Sequence, residues 1–123
     1  MHLENASVTQ HRPVVGAYRE LSFETTRIAR ETRPGQFVHI RVPNLGESVL
    51  RRPFSIYRAD GAVISILYKE VGKGTRALAR LARGDTLSAL GPLGNGFPTP
   101  ADGALPVLVA GGYGVAALYL LAE

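Results

Sequence analysis

Three groups of residues have types and spacings suited to an anionic ligand that carries a flat ring. The first group is Arg51-Arg52-Pro53-Phe54-Ser55-Ile56, at the start of a predicted strand. Arginine pairs bidentately with phosphate and aromatic rings stack on π-systems, so Arg52 beside Phe54 suits a diphosphate joined to a flat heterocycle, such as a flavin dinucleotide. A core phenylalanine next to a surface arginine would explain the same segment equally well.

The second group is a glycine-rich turn, Tyr68-Lys69-Glu70-Val71-Gly72-Lys73-Gly74-Thr75, that leads into a predicted helix. Glycines allow a ligand to approach the backbone closely, and the free N–H groups at a helix start stabilise phosphate. Thr75 is the predicted N-cap and could add a hydroxyl donor. The glycine spacing lacks the Gly-Lys-Ser/Thr ending of a P-loop, so nucleotide hydrolysis is not indicated.

The third group is Gly111-Gly112-Tyr113-Gly114-Val115-Ala116-Ala117, which follows a continuous apolar run. The pattern Gly112-x-Gly114-x-x-Ala117 fits the strand–turn–helix of a dinucleotide site. A glycine-rich turn that only starts a helix is the alternative. The acidic ribose-binding residue expected about 20 residues later would lie beyond residue 123.

Composition limits the classes of protein that the chain can be. Its 123 residues suffice for one domain and leave room for a fragment of a second, and a hydrophobic fraction of 46% indicates a globular protein. The absence of cysteine excludes disulfides, thiolate catalysis and cysteine-ligated metals from this chain. The net charge is +4, and a basic cluster lies in the middle third of the chain: Arg51, Arg52, Lys69, Lys73 and Arg76. This cluster suggests an anionic ligand, although such residues ordinarily lie on a solvated surface.

Two further kinds of signal are missing from the sequence. No apolar stretch approaches the length of a membrane-spanning helix and the first ten residues carry no signal pattern, so we expect a cytoplasmic protein without a membrane partner. The histidines at 2, 11 and 39 have no metal-ligand spacing, and no nucleophile–base pair stands out. Neither a metal site nor a catalytic residue is therefore predicted.

From Ser7 to Leu90 the sequence consists of short β-branched and aromatic runs separated by Pro, Gly and Asp, the pattern of a compact antiparallel barrel. The six predicted strands are Glu4 to Gln10, Val15 to Glu24, Phe37 to Val42, Phe54 to Arg58, Ala62 to Leu67 and Thr86 to Leu90. One short helix after Thr75, reaching Leu81 and ended by Gly84, interrupts them. The fold class is thus mainly β, a six-stranded antiparallel Greek-key barrel.

The last third of the chain changes character. Three prolines and four glycines between Gly91 and Gly103 predict a loop, with a domain boundary near Ala104. Beyond it, the apolar run Leu105–Ala110 predicts a strand buried on both faces, followed by a helix over 115–121. Such a β-α unit cannot bury its own apolar faces, so we expect a barrel domain at 1–98 and, at 104–123, the beginning of a truncated α/β domain.

Taken in this order, the motifs resemble those of the ferredoxin-reductase flavoprotein family, and within it the electron-transfer subunits of bacterial type B dihydroorotate dehydrogenase. Pro34-Gly35-Gln36-Phe37 matches the family's start of a strand, and Arg52-Pro53-Phe54-Ser55 matches its Arg-x-aromatic-Ser flavin motif. Gly91-Pro92-Leu93-Gly94-Asn95-Gly96-Phe97 resembles the subfamily's domain junction and is the most specific match.

The resemblance implies roles for individual residues. Arg52 would bind the FAD diphosphate, Phe54 would replace the family's usual tyrosine against the flavin ring, and Ser55 would sit near the reactive flavin nitrogen. The remaining implied contacts are Leu67, Tyr68 and Lys69 on the ribityl–adenosine side, Gly74 and Thr75 at the diphosphate, and Gly111, Gly112 and Gly114 beside the nicotinamide dinucleotide. Ala110 and Ala117 depart from the family's glycine motif, where relatives often have Gly and Pro.

The resemblance further implies a flavin-dependent NAD(P)H oxidoreductase component that passes electrons from NADH through FAD and a 2Fe-2S cluster to a catalytic dehydrogenase subunit in pyrimidine synthesis. The cysteine-rich segment that would hold the cluster is absent, so cluster, NAD(H) site and full activity are expected only in a longer protein. Another electron-transfer subunit of this family or a flavin reductase is one alternative. A non-enzymatic β-barrel that binds nucleic acid is another, disfavoured because few aromatic residues lie in the basic cluster.

Overall fold

The computed structural model describes residues 1–43 and 50–123 and contains a closed barrel of six antiparallel strands. The strands are β1 (His2–Val15), β2 (Tyr18–Glu24), β3 (Phe37–Arg41), β4 (Arg52–Asp60), β5 (Val63–Lys69) and β6 (Thr86–Leu93). Their order around the barrel is β1-β2-β5-β4-β3-β6, and every neighbouring pair is antiparallel. The predicted six-stranded antiparallel barrel is confirmed.

Alternate residues of the strands face the barrel interior, as a pleated strand requires. Leu21 and Phe23 on β2, for example, are fully buried. The other large, fully buried side chains are Val8, Ile28, Val38, Ile40, Ile56, Ile64, Ile66 and Leu78. Ile28 and Leu78 come from helices that follow strands, so the helices contribute to the same core.

All six strands differ somewhat in extent from the prediction, most of all β1, β2 and β6. β1 continues to Val15, and β2 begins only at Tyr18 because Gly16, with φ of +54°, makes the turn between them. The predicted start of the second strand at Val15 is therefore wrong. β6 continues to Leu93, three residues into the segment predicted as loop.

Within the described residues, three helices accompany the barrel: α1 (Arg27–Glu31), α2 (Lys73–Leu78) and α3 (Val115–Ala122). A short 3-10 turn, Gly112–Gly114, precedes α3. The prediction of one helix among the strands missed α1. None of the helices in residues 1–43 and 50–123 has the length and apolarity needed to span a bilayer.

The predicted strand Leu105–Ala110 is wrong, because this segment has no regular structure and lies on the surface. Leu105, Val107 and Val109 are 88%, 79% and 84% exposed. A strand buried on both faces needs neighbouring strands and covering helices, and no element in the described part of the chain pairs with this segment. The predicted helix that follows does form, as α3.

Two segments that carried the family resemblance meet in space. The N–H of Phe97 donates a hydrogen bond to the carbonyl of Pro34 (2.8 Å). Gly35, with φ of +89°, lies against the Phe97 ring, where a Cβ on residue 35 would stand 2.8 Å from Cδ2 of the ring. The heptapeptide ending at Phe97 is thus anchored to the turn before β3.

Candidate functional site

A cavity of about 270 Å³ lies between β4, β5, the turn before α2 and the start of α3. Its lining consists of Pro53, Phe54, Ser55, Leu67, Tyr68, Lys69, Val71, Thr75, Tyr113 and Ala116. Seven of these residues were predicted from the sequence to bind a cofactor: Pro53, Phe54, Ser55, Leu67, Tyr68, Lys69 and Thr75. A cavity of this volume is at the small end of ligand sites, so it suits a ring system rather than a complete dinucleotide.

Aromatic side chains from two neighbouring strands form one wall of the cavity. Phe54 on β4 and Tyr68 on β5 meet edge to face, with ring centroids 6.0 Å apart and planes inclined at 69°. Phe54 is half-buried, whereas Tyr68 is only 3% exposed. Such T-shaped pairs are a favoured aromatic arrangement, so the wall is fixed before any ligand arrives.

Arg52 stands beside the start of α2, although β4 and α2 are separated in the chain by a turn and all of β5. Its side chain lies so close to Gly74 that a Cβ on residue 74 would stand 2.7 Å from Cδ of Arg52. The first backbone bond of the helix runs from the N–H of Arg76 to the carbonyl of Gly72 (2.9 Å), which leaves the N–H groups of the first turn outside the helical ladder. A cation and backbone donors therefore adjoin the aromatic wall.

Thr75 has a different place from the predicted one. The N-cap of α2 is Gly72 and Thr75 is the third helical residue, so the prediction of Thr75 as N-cap is wrong. Its Oγ1 accepts hydrogen bonds from the N–H groups of Val71 (2.9 Å) and Gly72 (3.0 Å) and donates to the Gly72 carbonyl (3.1 Å). The hydroxyl thus holds the turn in shape, and its single proton is directed at the protein backbone. The helix also ends at Leu78 rather than at the predicted Leu81.

The glycines of the third motif do not line the cavity. Gly111, Gly112 and Gly114 are exposed, and Gly112 adopts a φ of +56°. Tyr113 and Ala116, which were not predicted as site residues, line it instead. Tyr113 is 60% exposed and Ala116 2% exposed, so one stands at the rim and the other at the floor. A large aromatic residue among glycines was the available signal for Tyr113.

α3 reaches the cavity because aromatic and ionic contacts dock it on β4. The rings of Tyr119 and Tyr57 have centroids 4.4 Å apart, and the Arg58 guanidinium lies 4.9 Å from the Tyr119 centroid. Arg58 also donates to the Tyr119 hydroxyl (3.0 Å) and pairs with the Glu123 carboxylate (2.8 Å). The hydrogen bond to Glu123 raises the pKa of Arg58, and burial raises that of Tyr57.

The electrostatics of the cavity combine a neutral interior with cations at its edge. Burial raises the pKa of Tyr68, so its phenol stays protonated at neutral pH. Lys69 is exposed, with its Nζ 5.7 Å from the centroid of the Tyr18 ring, and Arg52 lies on the side toward α2. This arrangement suits a neutral flat ring inside and an anionic group outside.

No protein-family model matches the chain. Curated relatives do match it, and those named here are dihydroorotate dehydrogenase B (NAD(+)) electron-transfer subunits. The protein of Geobacillus sp. strain WCH70 is 39% identical over 100% of this chain and 49% of its own length. The Geobacillus kaustophilus protein is 41% identical over 98% of this chain and 48% of its own length. The Clostridium acetobutylicum protein is 47% identical over 76% of this chain and 37% of its own length. The chain spans about half the length of the curated relatives it matches.

Solved structures share the fold. An Amycolatopsis cytochrome P450 reductase is 29% identical with a TM-score of 0.79, over 98% of this chain and 38% of that chain. The NADH-dependent reduced ferredoxin-NADP oxidoreductase of flavin-based electron bifurcation is 28% identical with a TM-score of 0.69, over 76% and 34%. The ferredoxin reductase in carbazole 1,9a-dioxygenase has a TM-score of 0.84 over 98% of this chain and 37% of that chain. Its sequence identity is 22%, so this likeness shows the fold alone.

Proposed function

Because this chain is a homologue of dihydroorotate dehydrogenase B electron-transfer subunits with a ferredoxin-reductase-type barrel, we propose that it binds FAD. The flavin ring would occupy the cavity between β4 and β5, and the diphosphate would lie toward α2. One observation carries this proposal: Arg52 and the glycine-rich start of α2 converge beside an aromatic-walled cavity.

The described residues fit such a cofactor. Phe54 and Tyr68 offer apolar ring faces and edges to a flat heterocycle, and Ser55 also lines the cavity. Arg52 offers charge-assisted hydrogen bonds to a diphosphate, with backbone N–H groups of the α2 turn nearby. The absence of a side chain at Gly74 leaves the space that the arginine occupies.

When bound, FAD supplies the electron-transfer chemistry itself, so the chain needs no nucleophile or general acid. Its residues bind the ring, neutralise the diphosphate and exclude water from one face of the ring. Of the twelve residues selected from the sequence, nine adjoin the cavity or Arg52, and these remain our proposed FAD contacts: Arg52, Pro53, Phe54, Ser55, Leu67, Tyr68, Lys69, Gly74 and Thr75. Gly111, Gly112 and Gly114 remain proposed contacts of a nicotinamide dinucleotide.

In the whole protein, we propose that this chain passes electrons from NADH through FAD to a catalytic dehydrogenase subunit of pyrimidine synthesis. The relatives' names and their greater length support this assignment. This chain has no cysteine, so a 2Fe-2S cluster would be held by residues outside it. Another electron-transfer subunit of the family, or a flavin reductase, would use the same cavity and differ in its electron acceptor.

We also propose that residues 1–98 form the FAD-binding domain and that 104–123 begin a nicotinamide-binding domain. The exposed apolar side chains of Leu105, Val107 and Val109 support the division, because a run of this kind is ordinarily covered. Neighbouring strands from further sequence would cover it and give the buried strand that the pattern predicts.

Adding FAD to the purified chain tests the proposal. We expect a shifted visible flavin absorbance that saturates at about one FAD per chain. Absence of binding at high micromolar protein would reject the flavin assignment. Salt-dependent binding of a single-stranded oligonucleotide together with indifference to FAD would instead favour a nucleic-acid-binding barrel.

A further inference from the structure

His11 lies outside the candidate flavin cavity yet is bonded to its wall. The residue is on β1 and half-buried, and its imidazole contacts two separate parts of the chain. Nε2 lies 2.9 Å from the hydroxyl of Tyr68, and Nδ1 lies 2.6 Å from the carbonyl oxygen of Leu81. His11 thereby links β1, the cavity wall on β5 and the segment after α2.

The chemistry of the partners assigns the protons in this chain of bonds. A carbonyl oxygen can only accept, so Nδ1 of His11 carries the proton that is donated to Leu81. In the neutral imidazole Nε2 then has a lone pair, and the Tyr68 hydroxyl must donate to it. In this neutral form the hydrogen bonds run from Tyr68 through His11 to Leu81.

The other side of His11 faces a second, open cavity of about 710 Å³. The charged residues lining that cavity are Arg19 and Arg83, and Arg19 is paired with Glu70 at 3.0 Å. His11 is not among the residues that line the flavin cavity. The hydroxyl of Tyr68 is thus anchored on the side away from the flavin cavity.

We propose that His11 is a positioning residue for the flavin site, acting through the hydroxyl of Tyr68. The inference rests on the proposed FAD binding and adds a residue to it. With the hydroxyl bonded to His11, Tyr68 keeps its edge-to-face contact with Phe54 and presents a ring edge to the cavity. Without His11, the Tyr68 hydroxyl loses its bond to Nε2 and must find another partner. Either the hydroxyl then turns toward the flavin cavity, or the Tyr68 ring shifts.

The test is a double-mutant cycle read by FAD titration of the full 123-residue chain. We expect His11→Ala and Tyr68→Phe each to weaken FAD binding about three- to tenfold, the range of a single hydrogen bond. In the double variant the loss should equal that of Tyr68→Phe alone, because the Tyr68 hydroxyl is the group through which we propose that His11 acts. His39→Ala is the matched control, since His39 lies on β3 against Phe37 (centroids 5.5 Å apart) and should leave FAD affinity unchanged.

A spectroscopic measurement on the unsubstituted chain covers the case in which His11→Ala fails to fold. Nitrogen-15 NMR of His11 should show the Nδ1–H tautomer, and Tyr68→Phe should shift its Nε2 signal. Additive losses in the cycle, an unchanged affinity in His11→Ala, or an Nε2–H tautomer would each overturn the positioning role. A wild-type chain that binds no FAD would overturn the proposed function itself, and that result is distinct because it precedes any substitution.

Discussion

The side chain of Arg52 lies directly against Gly74 at the start of α2. A Cβ placed on residue 74 would stand 2.7 Å from Cδ and 2.9 Å from Cζ of Arg52. Gly74 is not among the glycines with positive φ, so its backbone would accept any residue. Glycine is required here for space, and the space is filled by the cation that we assign to the FAD diphosphate.

This contact predicts the effect of Gly74→Ala. Alanine favours a helix by up to about 1 kcal/mol over glycine, so thermal stability should be kept. The new methyl group must displace the Arg52 side chain, and we expect FAD affinity to fall about tenfold as a charge-assisted hydrogen bond weakens. Gly72→Ala is the matched control, because a Cβ there meets no atom within 4 Å. Equal affinities in the two variants, measured by visible absorbance titration, would contradict the prediction.

Arg52→Ala should weaken FAD binding by about 1.5–3 kcal/mol, the contribution of a hydrogen bond to a charged group. The neighbouring Arg51 provides the control, since its guanidinium is bonded to the carbonyl (2.9 Å) and hydroxyl (2.9 Å) of Ser88. Arg51→Ala should lower stability and leave FAD affinity near the wild-type value. Isothermal titration of both variants decides between a role for this one arginine and a general effect of positive charge.

The sequence predicted the barrel and most of the cavity lining because both depend on local signals. Arg52, Phe54 and Ser55 stand in one strand, and alternation within that strand and β5 is readable from residue types. The same local reasoning misassigned Thr75, since a threonine before an apolar helical run resembles an N-cap. The actual N-cap, Gly72, became evident only from the backbone, where the Thr75 hydroxyl closes the turn.

The features that could not be predicted depend on contacts between distant residues. α1 has only five residues, too few for periodicity, and it begins where Glu4 of β1 accepts three backbone N–H bonds. Tyr113 and Ala116 line the cavity because the contact of Tyr119 with Tyr57 holds α3 against β4. No local sequence pattern predicts that contact. The segment Leu105–Ala110 has the apolar pattern of a buried strand but forms none, because no strand in the described residues pairs with it.

Glu4→Gln should destabilise the fold at neutral pH by about 1 kcal/mol, the usual value of a helix cap. The Glu4 carboxylate accepts from the N–H groups of Thr26 (2.6 Å), Arg27 (2.9 Å) and Ile28 (2.9 Å). Burial alone would raise the pKa of Glu4, but these three bonds together hold it below its ordinary value. The carboxylate therefore stabilises the fold at pH values above the pKa of glutamate in the unfolded chain, about 4.3. This contribution is lost as the pH falls through the lower pKa of Glu4 in the folded protein.

Urea unfolding at several pH values measures the difference between wild type and Glu4→Gln. The gap in unfolding free energy should be full at pH 7 and shrink progressively below about pH 4. Glu24→Gln, on the exposed end of β2, is the matched control and should show a smaller difference in unfolding free energy at pH 7. A gap of constant size down to pH 2.5 would show that the charge of Glu4 is irrelevant to the cap.

Arg58→Ala should loosen α3 and open the flavin cavity while leaving the barrel intact. Arg58 lies against the Tyr119 ring, donates to its hydroxyl (3.0 Å) and pairs with Glu123 (2.8 Å). Loss of Arg58 therefore removes these polar contacts between β4 and α3. Exposed pairs and cation–π contacts each contribute about 0.5–1 kcal/mol, too little to unfold a barrel but enough to speed α3 amide exchange several-fold. Since Ala116 and Tyr113 line the cavity, FAD affinity should fall in parallel, whereas Arg41→Ala on β3 should change neither. Faster exchange with unchanged affinity would show that α3 is not part of the flavin site.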